Sequence, residues 1–467
     1  MPRPFLRVHL SFCLYFHYIA RIMSNATPKS PQPSATQPFL IEKLTAPFDT
    51  DITLPGSKSI ALRQLAIAAL CSGSTQLTGV PECDDSAAMI DCLEALGANV
   101  TNVAGVVTVT GPIDLSNTAV HLDARMSGAS TRLLLGLAAL RQGDTTIDGH
   151  ASLRARTNKP LLDLLSQQGC TIESDNGCLP VKISGPINPA THLSIDGSLS
   201  SQYVTALLIA APGYRKTGNQ IIEIHGEAVS RPYIDITINE MRKRGVKVKW
   251  LDDNHLEVMS APYQAGSVAV EGDATAATYF AALATLHNSR VTITNLGQDS
   301  RQGDYAFFNI MEQLGATVER GDNTAISGPA MLAELPKIDM QAMPDAALTL
   351  IAMAPMLAAP ILITGLSSLH HKECDRLECP ARELTAMGIE LTTTEDSIHI
   401  YPGDGTLLAP HILSTYHDHR MAMAFSLLGS VSGTLQVDDK AVVNKTYPDY
   451  WKDFAALRTE AGQQGQY

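Results

Sequence analysis

Cations and hydroxyl groups stand at several predicted helix starts, where an anion can be bound. In LPGSKSIALRQLAIAAL, which begins at Leu54, a Pro-Gly turn precedes Ser57, Lys58 and Ser59, and Arg63 lies about one helical turn further in. A helix start presents free backbone N–H groups and the positive end of the helix dipole, so it favours an anion. An ordinary serine-capped helix with two surface cations explains the same residues equally well. The G-x-x-x-x-G-K spacing of a Walker A loop is missing.

Further segments of the first half have the same character. MSGASTRLLL places a small-residue turn at Gly128 before a helix that carries Arg132, and LRARTNKP crowds three cations around Arg156. Two more predicted helices open with polar groups, at Ser200, Ser201, Gln202, Ser230 and Tyr233. Each segment has an ordinary alternative, namely a tight turn, a solvated charge cluster or a simple N-cap. Their recurrence at equivalent places along the chain indicates a converging anion site.

The second half of the chain supplies carboxylates. Asp345 stands at the start of the apolar helix ALTLIAMAPML, where the dipole would keep it ionised and where simple capping is the alternative. HHKECDR places Lys372, Glu373 and Arg376 within five positions. A solvated charged turn is the ordinary explanation for such a cluster.

Two more cations occur near the C-terminus. Arg420 stands at an apolar helix start in YHDHRMAMAFSLL, and Lys445 lies in NKTYPDYW. His417 and His419 have no third ligand at a matching interval, so no metal site is predicted from them.

A repeated unit positions these segments. Five times a helical stretch ends in a glycine and is followed by a pair of β-prone runs, and the glycines recur every 70–76 residues at Gly97, Gly169, Gly245, Gly315 and Gly388. Glycine suits a helix C-terminus because a left-handed backbone is cheap without a Cβ. Five units, and a sixth that the N-terminal strand could complete, predict an α/β architecture built from one supersecondary module. Three units per globule would divide the chain near residue 271, and a last helix is expected over 449–457.

Composition excludes several functional classes. The 467 residues are 45% hydrophobic and 5% aromatic and carry a formal net charge of −13, which argues against a nucleic-acid or anionic-membrane partner. Eight cysteines include no C-x-x-C pair, so we expect reduced thiols. The first 23 residues are too mixed for a signal peptide or a membrane span. We expect residues 1–38 to be a disordered leader and Met1 to be a mis-assigned upstream start. The second methionine, Met23, begins a polar segment rich in proline and serine. An organellar targeting peptide is the alternative.

The ordered set of motifs resembles the 5-enolpyruvylshikimate-3-phosphate synthases, which are enolpyruvyl transferases. It comprises LPGSKS with Arg63, the SSQ helix, SRPYIDIT, GDATAATYF, PDAA, KECDR, YHDHRMAM and NKTYPDYW, and runs from about residue 40 to 455. The resemblance implies two lobes of three βαβαββ units, each an inside-out α/β barrel. The N-terminal lobe would be 57–271, and the C-terminal lobe 39–56 with 272–467.

The resemblance also implies an activity. The enolpyruvyl group of phosphoenolpyruvate would pass to the 5-hydroxyl of shikimate 3-phosphate, a step of the shikimate pathway towards chorismate and the aromatic amino acids. A cytoplasmic monomer is implied, without metal or organic cofactor. Asp345 would be the base, Glu373 the acid, and Lys58 a contact to both substrates.

Binding roles follow by position. Implied for shikimate 3-phosphate are Lys58, Ser59, Arg63, Ser200, Ser201, Gln202, Ser230, Tyr233, Asp345, Ser368 and Lys372. Implied for phosphoenolpyruvate are Lys58, Gly128, Arg156, Gln202, Arg376, Arg420 and Lys445. Closure of the lobes onto the charged substrates is the expected conformational step.

Some residues depart from the family pattern. Met126 and Ala129 stand where the family usually has Asn and Thr, Thr157 replaces a proline, and Ser368 replaces a frequent asparagine. These positions adjoin the implied pocket, so they bear on substrate affinity and on the response to the inhibitor glyphosate.

Two alternatives are weighed against this interpretation. The sister transferase that acts on UDP-N-acetylglucosamine typically has a reactive cysteine on a loop of its N-terminal half, yet no cysteine occurs between Cys92 and Cys170. A non-catalytic binding protein on the same scaffold would be expected to have lost Lys58, Asp345 or Glu373, and all three remain.

Overall fold

The computed structural model describes residues 37–214, 218–226, 230–403 and 410–463, with side chains to Arg458. Residues 1–36 of the predicted leader lie outside the described residues. The α-helices of the described residues are α1 (Lys58–Ala68), α2 (Asp84–Ala95), α3 (Gly128–Ala138), α4 (Ala151–Arg154), α5 (Lys159–Gln167), α6 (Ser201–Tyr214), α7 (Arg231–Lys243), α8 (Ala274–Leu286), α9 (Phe307–Gln313), α10 (Pro344–Met353), α11 (Glu378–Ala386), α12 (His419–Ser432) and α13 (Tyr450–Gln463). Short 3-10 helices cover Gly303–Ala306, Ala354–Met356, Ser367–His371 and Lys440–Lys445. The predicted last helix is therefore present and runs further than residue 457.

The strands are short and follow the helices in a regular order. They are β1 (Phe39–Leu40), β2 (Asp49–Ile52), β3 (Gly73–Thr78), β4 (Asn99–Val103), β5 (Val106–Gly111), β6 (Val120–Asp123), β7 (Asp144–Asp148), β8 (Thr171–Asp175), β9 (Cys178–Ser184), β10 (His192–Asp196), β11 (Gln220–His225), β12 (Val248–Trp250), β13 (His255–Val258), β14 (Ser267–Ala269), β15 (Arg290–Ile293), β16 (Thr317–Arg320), β17 (Thr324–Ser327), β18 (Lys337–Asp339), β19 (Ile361–Thr364), β20 (Leu391–Thr393), β21 (Ser397–Ile400), β22 (His411–Leu413) and β23 (Leu435–Val437).

Six small sheets repeat one topology. The order β6-β7-β9-β8 is typical: β6 and β7 are parallel, and β8 and β9 form an antiparallel hairpin beside β7. Four more four-stranded sheets have this order: β10-β11-β13-β12, β14-β3-β5-β4, β2-β15-β17-β16 and β18-β19-β21-β20. The sixth sheet, β1-β23-β22, has three strands in the described residues, and β22 and β23 are its parallel pair. The predicted six-unit α/β architecture is confirmed, and β1 joins the sixth unit as expected.

The repeat glycines end the helices in the predicted way. All five have positive φ between 84° and 100°, at Gly97, Gly169, Gly245, Gly315 and Gly388. An L side chain is strained in this conformation, so glycine is the residue that lets each helix turn directly into its hairpin.

The buried apolar residues form two large clusters. One extends from Leu62 to Tyr263, and the other combines the N-terminal Ile41–Leu54 region with residues from Ala274 to Leu457. These clusters share no residue in the part of the chain that the structure describes. Apolar burial therefore stabilises two separate bodies of sheets and helices.

The chain crosses between the two bodies through two glycines. Gly56 and Gly272 form an antiparallel bridge, and the Ser57 N–H donates to the Glu271 carbonyl at 2.7 Å. A Cβ on Gly56 would lie 1.7 Å from the Gly79 carbonyl oxygen, so only glycine allows the segments to approach this closely. Among the described residues, no helix has both the length and the apolarity that a membrane crossing requires.

We predict that Gly169→Ala lowers the free energy of unfolding by about 1–2 kcal/mol. Gly169 has φ of +99°, while a Cβ there would meet no described atom within 4 Å, so backbone strain alone produces the cost. Urea unfolding followed by circular dichroism measures the change. Gly266→Ala is the matched control, because its Cβ also meets nothing and its φ is outside the positive range. Equal effects of the two substitutions would contradict the prediction.

Candidate active site

One cavity of about 560 Å³ brings together residues from both bodies. Its size is ordinary for a small-molecule site. All but one of the predicted site residues line it: Lys58, Ser59, Arg63, Gly128, Arg156, Ser200, Ser201, Gln202, Ser230, Tyr233, Asp345, Ser368, Lys372, Glu373, Arg376 and Arg420. Lys445 is not among the lining residues and lies behind Glu373, 2.9 Å from its Oε1.

The cavity is rich in cations although the chain is acidic. Among the described lining residues, seven are Lys or Arg and five are Asp or Glu. Helices α1, α3, α6, α7, α10 and α12 all begin at its wall. Helix dipoles and side-chain cations therefore attract anions to the same place.

Protein groups cap the starts of α1 and α6, where serine capping was the alternative explanation. At α1, the Ser57 hydroxyl makes no capping hydrogen bond, and Asp273 Oδ2 accepts from the Lys58 N–H at 3.2 Å instead. The serine-cap alternative is thus wrong for α1. At α6, the Ser200 hydroxyl accepts from the Gln202 N–H at 3.2 Å, so ordinary N-capping does occur there.

Arg376 is the centre of a buried ion network. Its side chain is 1% exposed and donates to three carboxylates: Asp418 at 2.7 and 3.0 Å, Asp345 at 3.0 Å and Glu373 at 2.7 Å. Burial alone would lower the pKa of Arg376, but Asp418 and the other carboxylates raise it above its usual value. The solvated-turn alternative therefore does not hold for HHKECDR, because Arg376 is buried and Lys372 and Glu373 are partly buried in ion pairs.

Asp345 is held by three cations and a phenol. Lys372 and Arg376 approach Oδ1 at 3.1 and 3.0 Å, and Arg420 and the Tyr233 hydroxyl approach Oδ2 at 3.2 Å each. Burial would raise the pKa of Asp345, but Lys372, Arg420 and Arg376 hold it well below its usual value. The carboxylate is ionised and makes no helix cap, so the capping alternative does not hold here.

Glu373 is enclosed in the same manner. Arg376 donates to Oε2 at 2.7 Å, Lys445 approaches Oε1 at 2.9 Å, and Arg156 lies 3.8 Å from Oε2. Burial would raise the pKa of Glu373, yet Lys445, Arg376 and Arg156 hold it well below its usual value. In the ligand-free arrangement this side chain is an anion rather than an acid.

Lys58 faces a carboxylate that the sequence analysis did not identify. Its Nζ lies 3.0 Å from Asp85 Oδ2, and both side chains are largely buried. Burial would lower the pKa of Lys58, but Asp85 and Glu373 raise it above its usual value. Asp85 stands in the first turn of α2, where nothing in the sequence distinguishes it from an ordinary acidic helix start.

Two buried arginines of the cavity wall make their contacts mainly to backbone and hydroxyl groups. Arg63 donates to the Ser59 carbonyl at 2.7 Å and to the Thr237 hydroxyl at 2.8 Å. Arg132 donates to the carbonyls of Gly128 at 2.9 Å and Thr157 at 3.2 Å. Burial lowers the pKa of each guanidinium to about 10, so both stay charged at neutral pH without a carboxylate partner. Arg132 belongs to the MSGASTRLLL segment, but the family resemblance implies no binding role for it.

His419 lines the cavity as a neutral group. It is fully buried, and burial together with Lys58 and Arg420 holds its pKa well below the usual value. Its Nδ1 is 3.4 Å from Asp418 Oδ1, outside hydrogen-bonding geometry, and neither ring nitrogen has a hydrogen-bond partner among the described residues. Its sequence context raises only the possibility of a metal ligand, and so does not predict this position at the cavity wall.

The crowded cations of LRARTNKP separate in the structure. Arg154 is half-exposed and pairs with Asp148 at 2.7 Å, and Lys159 is exposed and pairs with Asp163 at 2.9 Å. Only Arg156 faces the cavity. The solvated alternative therefore holds for two of the three cations.

The structure explains how Thr157 fits where a proline was expected. Its carbonyl accepts from Arg132 and from the Tyr203 hydroxyl at 2.8 Å, which a proline carbonyl could also do. Its own hydroxyl accepts from the N–H of Lys159, the first residue of α5, at 3.1 Å. Ala129, Thr157 and Ser368 line the cavity, so three of the four departures from the family pattern touch the space for substrate.

Comparisons with known proteins agree with this geometry. Residues 43–454 match the family model of EPSP synthase (3-phosphoshikimate 1-carboxyvinyltransferase). The 3-phosphoshikimate 1-carboxyvinyltransferase of Vibrio cholerae serotype O1 is 36% identical over 417 residues, which cover 87% of this chain and 96% of that protein. Its counterpart from a Nostoc species is 33% identical, with coverage of 89% and 98%.

Solved structures give the same result. An EPSP synthase from Acinetobacter baumannii superposes with a TM-score of 0.74 at 26% identity, covering 91% of this chain and 98% of that one. The chain therefore belongs to the EPSP synthase family of transferases, which confirms the family and the two-lobed fold that its motifs implied.

Proposed function

We propose that this enzyme transfers the 1-carboxyvinyl group of phosphoenolpyruvate to the 5-hydroxyl of shikimate 3-phosphate and releases phosphate. The observation that carries the proposal is the cavity in which seven cations meet on an acidic protein. The two substrates together bring two phosphates and two carboxylates, which repel one another unless cations offset their charge. Arginines provide planar, paired donors that match these groups.

The site is divided between the substrates. Lys58 would contact both, and hydroxyl groups at the starts of α1, α6 and α7 would hold shikimate 3-phosphate. The residues proposed for it are Ser59, Arg63, Ser200, Ser201, Gln202, Ser230, Tyr233, Asp345, Ser368 and Lys372. Those proposed for phosphoenolpyruvate are Gly128, Arg156, Gln202, Arg376, Arg420 and Lys445. Lys445 lies behind Glu373, with which it forms an ion pair, and would reach the substrate from that position.

Asp345 is suited to act as the base. Because its pKa is depressed, it is ionised at neutral pH, which is the form that a base requires. The cations that depress the pKa also weaken the base, and substrate anions that engage Lys372, Arg376 and Arg420 would raise the pKa again so that Asp345 can accept the proton of the 5-hydroxyl. That oxygen then bonds to C2 of phosphoenolpyruvate while the methylene C3 receives a proton. In the second half of the reaction a proton leaves C3, the C2–O bond to phosphate breaks, and phosphate takes up the proton from the base side.

Glu373 can act as an acid only after phosphoenolpyruvate binding has raised its pKa. Arg376, Lys445 and Arg156 keep it ionised in the free enzyme. When phosphoenolpyruvate brings its own anionic groups to these cations, Glu373 loses attractive partners and gains negative neighbours, and both effects raise its pKa. The proton for C3 is thus available when the substrate is in place.

The lobes are proposed as residues 57–271 and as 39–56 with 272–467. The separate apolar cores and the glycine crossing at Gly56 and Gly272 support these boundaries. Closure of the lobes would exclude water and strengthen the electrostatic contacts. A cytoplasmic monomer remains our expectation, and the described cysteines, all of which are free thiols, fit a reducing compartment.

A phosphate-release assay tests the proposal. Phosphate should appear only when phosphoenolpyruvate and shikimate 3-phosphate are both present, and replacing the second by UDP-N-acetylglucosamine should give none. Release with either substrate alone, or with the nucleotide sugar, would contradict the assigned reaction.

We predict that Glu373→Gln lowers kcat by roughly 10²–10⁴-fold, because glutamine cannot deliver the proton. Its affinity for shikimate 3-phosphate, measured by titration calorimetry, should change less than threefold, since the cations that neutralise this substrate remain. Glu383→Gln is the control: this buried glutamate bonds His411 at 2.6 Å and does not line the cavity. Near-normal turnover of Glu373→Gln would remove this residue from the acid role.

We predict that Gly128→Ala raises the KM for phosphoenolpyruvate roughly tenfold, the loss of about one charge-assisted contact, with a smaller effect on shikimate 3-phosphate. A Cβ there would lie 2.6 Å from Arg132 Nη1 and 2.9 Å from Arg156 Nη1, so both guanidiniums must move. Steady-state kinetics with each substrate varied provides the measurement. Gly321→Ala, whose Cβ would meet nothing nearer than 3.8 Å, is the control. Equal changes in both KM values would contradict the assignment of Arg156.

A further inference from the structure

A second cluster of ligand-type side chains lies on a different sheet. His192 on β10, Glu223 on β11 and His255 on β13 have one potential metal-binding atom each, and these atoms all lie within 4.8 Å of one another. None of the three residues lines the cavity described above. Neither the motifs nor the predicted site residues include them.

The sheet register brings the three side chains to one face. Glu223 pairs directly with His255 across β11 and β13, and with Ser194 on the other side. His192, two residues before Ser194, points to the same face because side chains alternate along a strand. The intervening Leu193, Ile222 and Leu256 are buried in the core.

The distances are close to those of a metal site. His192 Nε2 lies 3.4 Å from Glu223 Oε2, His255 Nε2 lies 3.9 Å from Glu223 Oε1, and the imidazole centroids are 5.7 Å apart. Zinc bonds of about 2.0–2.1 Å in a tetrahedron place neighbouring ligand atoms about 3.3–3.4 Å apart. The three side chains are 31–54% exposed, so small rotations can close the remaining gaps.

A carboxylate behind His255 fixes the orientation of its ring. Both oxygens of Asp252 lie near His255 Nδ1, at 2.9 and 3.0 Å. With the Nδ1 proton donated to Asp252, the lone pair is on Nε2, the atom that faces Glu223. A histidine ligand backed by a carboxylate in this way is the usual arrangement at protein zinc sites.

We propose that His192, Glu223 and His255 bind a zinc-class divalent cation, with water completing the coordination. Two imidazoles and one carboxylate suit zinc, whereas magnesium prefers an all-oxygen shell. The nearby Lys249 does not compete for Glu223, since it pairs with Glu257 at 2.8 Å. The bound ion would join three strands of this sheet and stabilise the folded protein against unfolding.

Zinc binding to the full-length, chelator-treated protein tests the proposal. Competition against a chromogenic zinc indicator in excess Mg²⁺ should show one equivalent more zinc on the natural protein than on Glu223→Gln or His255→Asn. The same zinc should raise the Tm of the natural protein more than that of either variant. His121→Asn is the matched control, because His121 is an exposed histidine on β6, the equivalent strand of the neighbouring unit, and this variant should retain the full equivalent.

Asp252→Asn separates a built site from a chance cluster of histidines. It should keep the stoichiometry but weaken zinc affinity by roughly 10–100-fold, because the orienting carboxylate is lost. Turnover without zinc, equal to that of the natural protein, verifies that each variant is folded. Equal zinc stoichiometry and affinity in the natural protein and in Glu223→Gln and His255→Asn would overturn the proposal, as would an Asp252→Asn affinity equal to the natural one.

Discussion

The need to keep several cations together in a buried cavity dominates this structure. Like charges at such distances repel strongly where water is excluded, and each cation also loses its hydration. The protein offsets both costs with carboxylates: Asp418, Asp345 and Glu373 surround Arg376, and Asp85 faces Lys58. A network of this kind contributes little net stability, because desolvation consumes most of the attraction. Its value is that the cations are already positioned when an anion arrives.

The carboxylates around Arg376 differ in how far an incoming anion changes their surroundings. Asp418 is fully buried behind Arg376 and caps α12 by accepting from the Arg420 N–H at 2.9 Å, so it stays as a permanent counter-ion. Asp345 and Glu373 line the cavity and meet the incoming groups directly. Entry of substrate therefore changes the surroundings of these two carboxylates most. The residues proposed for proton transfer are those whose charge state the substrate itself can alter.

The sequence predicted the repeated fold and nearly all of its candidate site residues line the cavity, but it did not predict how these residues pair with one another. Glycines at 70–76-residue intervals predicted the helix ends because positive φ is a local requirement that few other residues meet. Lys58 and Arg420 were found because helix starts have recognisable residues. Asp85 was missed because its pairing with Lys58 depends on how α1 and α2 pack. Whether a charged turn such as HHKECDR is solvated or buried is likewise decided by the opposite wall, which no local pattern describes.

The same reasoning explains why the cluster on β10, β11 and β13 escaped the sequence analysis. Its ligands are about 31 residues apart along the chain, far outside the short intervals by which zinc motifs are recognised. Each histidine and the glutamate occupies the solvent face of its strand, where polar residues need no special cause. Only the parallel pairing of β10 with β11 and the antiparallel pairing of β11 with β13 place them side by side. The same repeated unit can thus bind anions at its cavity-facing helix starts and a cation on the solvent face of its sheet. This is possible because residues on the solvent face are free of the packing constraints that fix the core.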